Sequence, residues 1–196
     1  MRKGGNKRKI LCVIAAFMIY AFAGMAAAAN YYVSPSGADT NAGTSTAAPF
    51  KTIQKAANIV NPGDTVYVMN GTYTNACATC DVVSVTRSGS LNAWITFTAY
   101  PGHTTKIRFN GWNGFKFSGS ASYIEVSGLE IEGNNSSVTL EEAKSQPTSS
   151  SDPRFNGGGI GIDGRKSGAS KPHYFRFINN KVYNCGGGGI GCIHTD

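Results

Sequence analysis

Long apolar stretches are missing from this sequence after residue 23. The one such run, from Ile10 to about Ala23, follows Arg2, Lys3, Lys7, Arg8 and Lys9 and precedes a cluster of alanines. It is short for a bilayer span, and small residues stand where an Ala-x-Ala cut would fall, just before Ala29 or Asn30. Residues 1–29 therefore read as a secretory signal peptide. The rest predicts a secreted protein, free or attached to the cell surface, with no stable membrane insertion after cleavage. A surplus of one charge is missing too. The chain has 18 Lys and Arg against 11 Asp and Glu, but five of the basic residues leave with the leader. The remaining 13 against 11 give a net charge of +2, which is no argument for a nucleic-acid partner. No GxSxG, HExxH, P-loop or EF-hand loop occurs, and no Asp-Asp-x-x-Asp cluster. Glycine is abundant, at 25 residues, but keeps no three-residue period, which excludes collagen.

Cysteine is sparse. Cys12 lies in the leader, and Cys77, Cys80, Cys185 and Cys192 remain, with three pairings open in an exported chain. Cys77-Ala-Thr-Cys80 has redox spacing, yet no βαβ pattern surrounds it. The pair therefore reads as a local loop staple or as free thiols.

What is present is a repeat. GGGIGI at 157–162 returns as GGGGIGCI at 186–193, with Ile160 and Ile190 thirty residues apart. IEVSGLEI at 124–131 returns as FRFINNKV at 175–182, an offset of 51, which is one period plus an insertion around 135–156. Upstream, Ile95 lies 29 before Ile124, and Val66 lies 29 before Ile95. Short alternating strands and glycine turns at this period predict an all-β, parallel β-helix, in which one coil buries its apolar face only by stacking on the next. In that repeat Cys192 takes the place of Ile162, so it is expected on the packed face.

In chain order, Asn30 opens the mature domain, 30–196, with a short strand. Residues 34–49 form a polar loop in which Asp39 is too isolated for a calcium cage. Residues 50–60 carry Ile53, Ala56, Ala57 and Val60 on one face and predict a helix that caps the open end of the first coil, near residue 65. Lys106, Arg108 and Lys116 alternate with apolar residues and are expected to face water. The insertion at 134–156 is an exposed loop with capping-box spacing at Thr139 and Glu142, placed to wall a groove or to be inert length. Asn179-Asn180 replaces Gly128-Leu129 and reads as a turn device of the fold. No closing helix follows Ile193, so the chain reads as the front part of a longer protein, or as one whose last coil a partner covers.

The opening YYVSPSGADTNAGTSTAAPFKTIQKAANIVNPGDTVYVMNGTY resembles the N-terminal module of secreted right-handed parallel β-helix proteins. With ITFTAYPG at 95–102, SYIEVSGLEIEGN at 122–134 and FINNKVYNCGGGGIG at 177–191, the resemblance covers about 30–196. It is to the pectate-lyase-like superfamily, nearest to the family 9 type of polysaccharide lyases. That resemblance implies calcium-dependent β-elimination on an anionic polyuronide, with clustered aspartates on the metal and a lysine base. It places those residues on later coils, mostly beyond residue 196, and here only Asp196 matches the start of such a cluster. A non-catalytic, polysaccharide-binding surface β-helix and a β-helix glycoside hydrolase stay open beside the lyase, so catalysis by this chain is itself undecided.

Within this chain the repeat puts Glu130 near Lys181 and Glu132 near Tyr183. A cross-strand ion pair explains the first pair. Alternatively, carboxylate and amine line a sugar groove with Tyr183 as a stacking platform. The candidates are then Lys181 and His194 for catalysis, Glu130, Tyr183 and Arg165 for an anionic polysaccharide, and Asp163 and Asp196 for Ca2+.

Overall fold

A computed structural model of the protein describes residues 27–146 and 151–195. The leader assignment falls mainly on 1–26, and Asp196 is the last residue, so both lie outside the described residues. Among the described residues no helix is long and apolar enough to cross a membrane.

In chain order the elements are β1 (Asn30–Val33), α1 (Ile53–Ala57), β2 (Thr65–Val68), β3 (Gly71–Thr74), β4 (Val83–Val85), β5 (Ile95–Ala99), β6 (Thr105–Arg108), β7 (Asn113–Ser118), β8 (Ser122–Ser127), β9 (Glu130–Glu132), α2 (Leu140–Ser145), α3 (Pro153–Asn156), β10 (Gly158–Asp163), β11 (His173–Ile178), β12 (Lys181–Tyr183) and β13 (Ile190–Ile193). They build three sheets, ordered β1-β2-β5-β8-β11, β3-β6-β9-β12 and β4-β7-β10-β13. Every pairing between these strands is parallel, and each coil contributes to the sheets in turn, which is a parallel β-helix.

The repeat sets the register in most places. Ile95 pairs with Ile124, Ile124 with Phe175, and Ile160 with Ile190. Val66 is a correction: it pairs with Phe97, not Ile95, a 31-residue step. The reason is that every second residue faces inward, so a shift of two keeps the apolar face buried and a 29-residue match cannot distinguish it. The sheet also starts earlier than residue 65, because β1 pairs with β2.

The interior is filled by alternate residues. Phe97, Phe115 and Phe117 are fully buried, and Phe115 lies 5.6 Å from Phe97 and 5.8 Å from Phe117 between ring centroids. Burying such rings drives the coils together at roughly 25 cal/mol per Å2 of apolar surface.

The capping helix is shorter than the predicted 50–60. Phe50 bridges to Val33 in strand fashion, Thr52 caps the helix by accepting the Lys55 N–H, and Asn58 ends it. Asp39 fixes that start: its carboxylate accepts the N–H groups of Lys51 and Thr52 and the Thr52 hydroxyl. Ile53, Ala56, Ala57 and Val60 are buried as expected. Gln54 does what an adjacent strand would do for β4: its amide accepts the Ser84 N–H at 2.7 Å and donates to the Ser84 carbonyl at 3.0 Å.

At the other end β11, β12 and β13 are the edge strands. Ile190 is 50% exposed, Ile193 46% and Tyr174 60%. Cys192 pairs with Ile162 as the repeat requires but is exposed, since no described coil packs above it. Cys185 is also a free thiol, raised above its ordinary value by burial, while Cys77 and Cys80 form the loop staple. Asn180 works as a turn device: it accepts the Leu129 N–H and donates to the Val126 carbonyl of the coil below.

Candidate functional site

Sheet position decides which candidate residues meet. On the second sheet, Glu130 pairs with Lys181 and Glu132 with Tyr183. Lys181 Nζ lies 3.6 Å from Glu130, and the Tyr183 hydroxyl donates to the same carboxylate at 2.5 Å. The coil below completes the group. Lys106 Nζ reaches Glu130 at 3.4 Å, Glu132 at 3.2 Å and the Tyr183 hydroxyl at 3.3 Å. Arg108 donates to Glu132 from Nε at 3.0 Å and Nη2 at 2.8 Å.

Lys106 and Arg108 face outward as expected, but they are bound up in this network rather than simply solvated. Nothing local reveals this; the 24-residue step from Lys106 to Glu130 is shorter than the repeat.

The network is chemically closed. The hydrogen bond from Tyr183, then the Lys106 ammonium, holds the Glu130 carboxyl below its ordinary value. Arg108, then Lys106, does the same for Glu132. Lys106 is pushed well above an ordinary lysine by its contacts with Tyr183 and Glu132, so it keeps its proton and is no base. The Tyr183 ring has the Lys181 ammonium 4.6 Å and the Lys106 ammonium 6.0 Å from its centroid.

The third sheet carries a different arrangement, a groove of about 630 Å3 along its outer face. Lys116, Gly161 and Gly191 lie in one row across β7, β10 and β13. Asp163 stands at the end of β10. It holds Arg165 at 2.8 Å and Lys116 at 3.7 Å. Its carboxyl lies well below the ordinary range, chiefly through the Arg165 guanidinium. Asn113, at the start of β7, donates to Asp81 at 2.7 Å. Trp112, half-buried in the turn before β7, lines the same groove.

The insertion supplies one wall. Its α2 has the expected capping box, Thr139 with Glu142. Asn156, at the end of α3, lines the groove, and the backbone of α3 rests on Gly186 and Gly187, where any Cβ would overlap the carbonyls of Arg154 and Asn156. Two of the four consecutive glycines are thus required by this close approach.

The structure therefore brings Lys181, Glu130 and Tyr183 together on one sheet, and Asp163 and Arg165 on another. His194 is exposed at the corner after β13, with a left-handed φ of 52°, and its carbonyl packs against Gly164, next to Asp163. Trp112, Lys116 and Asn156 also line this groove, and sequence patterning does not single them out as candidate site residues. The turn sequence NGWNGF, an aromatic between glycines, was the available signal for Trp112.

Calcium does not fit the donors present. Among the described residues no three His, Cys, Asp or Glu side chains converge, and Asp163 is engaged by two cations.

A family model described as Pel9A-like, right handed beta helix region matches residues 31–186. The chain belongs to this Pel9A-like β-helix family. A curated relative, pectate lyase PEL9 of Emericella nidulans, is 39% identical over 80 residues, which are 41% of this chain and 18% of that protein. Among solved structures, the GH136 lacto-N-biosidase from Eubacterium ramulus matches 84% of this chain and 30% of its own, with 20% identity and a TM-score of 0.56. That likeness shows the fold alone. The crystal structure of pectate lyase Pel9A matches 81% of this chain and 36% of its own, with 22% identity and a TM-score of 0.49. The chain spans about a fifth of the curated relative's length and about a third of these structures'.

Proposed function

We propose that this chain is the front part of a secreted, calcium-dependent polysaccharide lyase that cleaves an anionic polyuronide by β-elimination. The observation that carries the reading is the groove of the third sheet in a Pel9A-like β-helix, where Lys116 and Arg165 outnumber the single carboxylate of Asp163. Elimination removes the proton next to a uronate carboxylate and expels the glycosidic oxygen, leaving a carbon–carbon double bond. The cations of the groove attract and orient the uronate carboxylate, a role that needs no rearrangement of the coils. Arg165 and Asp163 act here as a pair, Asp163 holding the guanidinium in place. Calcium belongs to the whole protein, with its ligands drawn from outside the described residues; Asp196 is the candidate within the sequence. His194, whose backbone carbonyl lies against Gly164, is the candidate base in this chain, and Lys181, Glu130 and Tyr183 serve the scaffold.

A second reading is a non-catalytic polysaccharide-binding β-helix, favoured by the misfit between the described donors and a calcium cage. One assay separates the readings. The whole protein and residues 30–196 are incubated with polygalacturonate, with calcium and with chelator. Near-ultraviolet absorbance that appears only with calcium supports the lyase. Reducing ends without absorbance assign a glycoside hydrolase, and binding with neither signal assigns the non-catalytic protein.

A further inference from the structure

We propose that Trp112 is the stacking platform of the third-sheet groove, holding the apolar face of one pyranose ring of an anionic glycan while Lys116 and Arg165 take its carboxylate. The inference rests on the reading of that groove as the glycan site and adds the residue that grips the sugar ring.

Three observations carry it. The first is the state of the aromatic side chains. Trp94 is covered by the Arg176 guanidinium, 3.8 Å from its centroid, and meets Tyr123 edge-on at 5.6 Å. The Tyr183 ring is flanked by Lys181 and Lys106, and its hydroxyl is bonded to Glu130. Trp112 differs: it lines the groove half-buried, and among the described residues its ring has no aromatic or cationic partner and its indole N–H no acceptor. Its position is nonetheless held, because its carbonyl accepts the Gly158 N–H at 2.7 Å. A tryptophan that lines a groove with no ring or cation partner and an unused N–H suits a ligand that has both C–H faces and hydroxyls.

The second observation is the groove floor. Glycine weakens a strand, so it needs a reason there. Gly114 and Gly159 have one in the core: a Cβ would overlap Ile131 in the first case and Val182 in the second. A Cβ on Gly191, on the last described strand, would meet nothing within 4 Å among the described residues. Past Lys116 the outward row holds only Gly161 and Gly191, so the floor carries no side chain and a ring can approach the backbone. The third observation is charge. Lys116 and Arg165 share one carboxylate, Asp163, which leaves the groove one positive charge in excess for a uronate.

The sequence has two tryptophans, so Trp94→Phe leaves Trp112 as the only one. Emission of that variant is followed while oligogalacturonate, or a neutral oligosaccharide of equal length, is titrated. Affinity of the parent, Trp112→Ala, Trp112→Phe and Lys116→Gln is measured in gels containing polygalacturonate. The expected result is a saturable change in Trp112 emission with the uronide, a tenfold or greater loss of affinity in Trp112→Ala, and partial rescue in Trp112→Phe at an unchanged melting temperature. Uronide binding that Lys116→Gln weakens but Trp112→Ala does not would overturn the platform and leave the groove. Binding of the neutral glycan alone, with the emission change, would overturn the anionic ligand. Binding of neither glycan by the parent would overturn both the platform and the groove.

Discussion

On the second sheet, Lys106 sits between Glu130 and Glu132, Arg108 closes on Glu132, and Tyr183 spans Glu130 and Lys106. On the third sheet, Lys116 and Arg165 share Asp163 beside Gly161 and Gly191, and Trp112 lines the same groove with no ring, cation or N–H partner among the described residues. Both faces are made by the same coils in the same parallel register. What differs is the side chain that each coil offers its neighbour. Where opposite charges alternate between coils, the surface satisfies itself and becomes a cross-strand ladder. Where one coil offers a cation and the next a glycine, groups are left over for a ligand. On the proposed reading, unspent binding capacity rather than charge density marks the glycan site.

The strongest way to break this comparison is through the glycines. Gly159→Val should cost about 3 kcal/mol, lowering the melting temperature by roughly 6–12 °C, because its side chain would crowd Val182 and the Gly189 carbonyl. Gly191→Val should leave the melting temperature unchanged while abolishing polygalacturonate binding, since only the groove floor changes. Equal melting losses for the two variants would refute the distinction between core and floor glycines.

Charge removal should give the next largest effect. Lys116→Gln is expected to weaken polygalacturonate binding about tenfold, equivalent to about 1.4 kcal/mol, and to flatten its salt dependence. Lys106→Met, on the other sheet, should leave that binding unaltered. Affinity gels over a range of salt concentrations would show whether the cations of the second sheet also contribute.

The smallest effect concerns acid. Glu130 and Glu132 lie below the ordinary glutamate value of 4.5 in the folded protein. Their stabilisation is complete above the unfolded value and fades as the pH falls through the lower folded values. Carbon-detected NMR titration should find both carboxyls ionised below pH 4.5, and Lys106→Met should move both back towards it. Carboxyls that titrate normally in the parent would show that the ladder is loose in solution.

Much of the fold is legible in the sequence. Ile95, Ile124, Ile160 and Ile190 follow a period that a stacked coil imposes, and Glu130 over Lys181 followed from the same repeat. Asn180 was legible as a turn device because asparagine bonds backbone groups. Val66 slipped by two because inward alternation tolerates that shift. The candidate site was less legible. The repeat names only the strand partner of Tyr183, Glu132, and leaves out Lys106, which reaches its hydroxyl from the coil below.

By itself the sequence determined that coils stack and which apolar residues face inward, because alternation and a 29–30-residue period are properties of the chain. Only the tertiary structure decided that Lys181 and Asp163 belong to different faces, that Lys116 and Arg165 converge on one carboxylate, and that Trp112 stands in the groove. Those meetings depend on the corners and on loops of unequal length between strands. Lys116 and Arg165, for example, lie 49 residues apart, and no period links them.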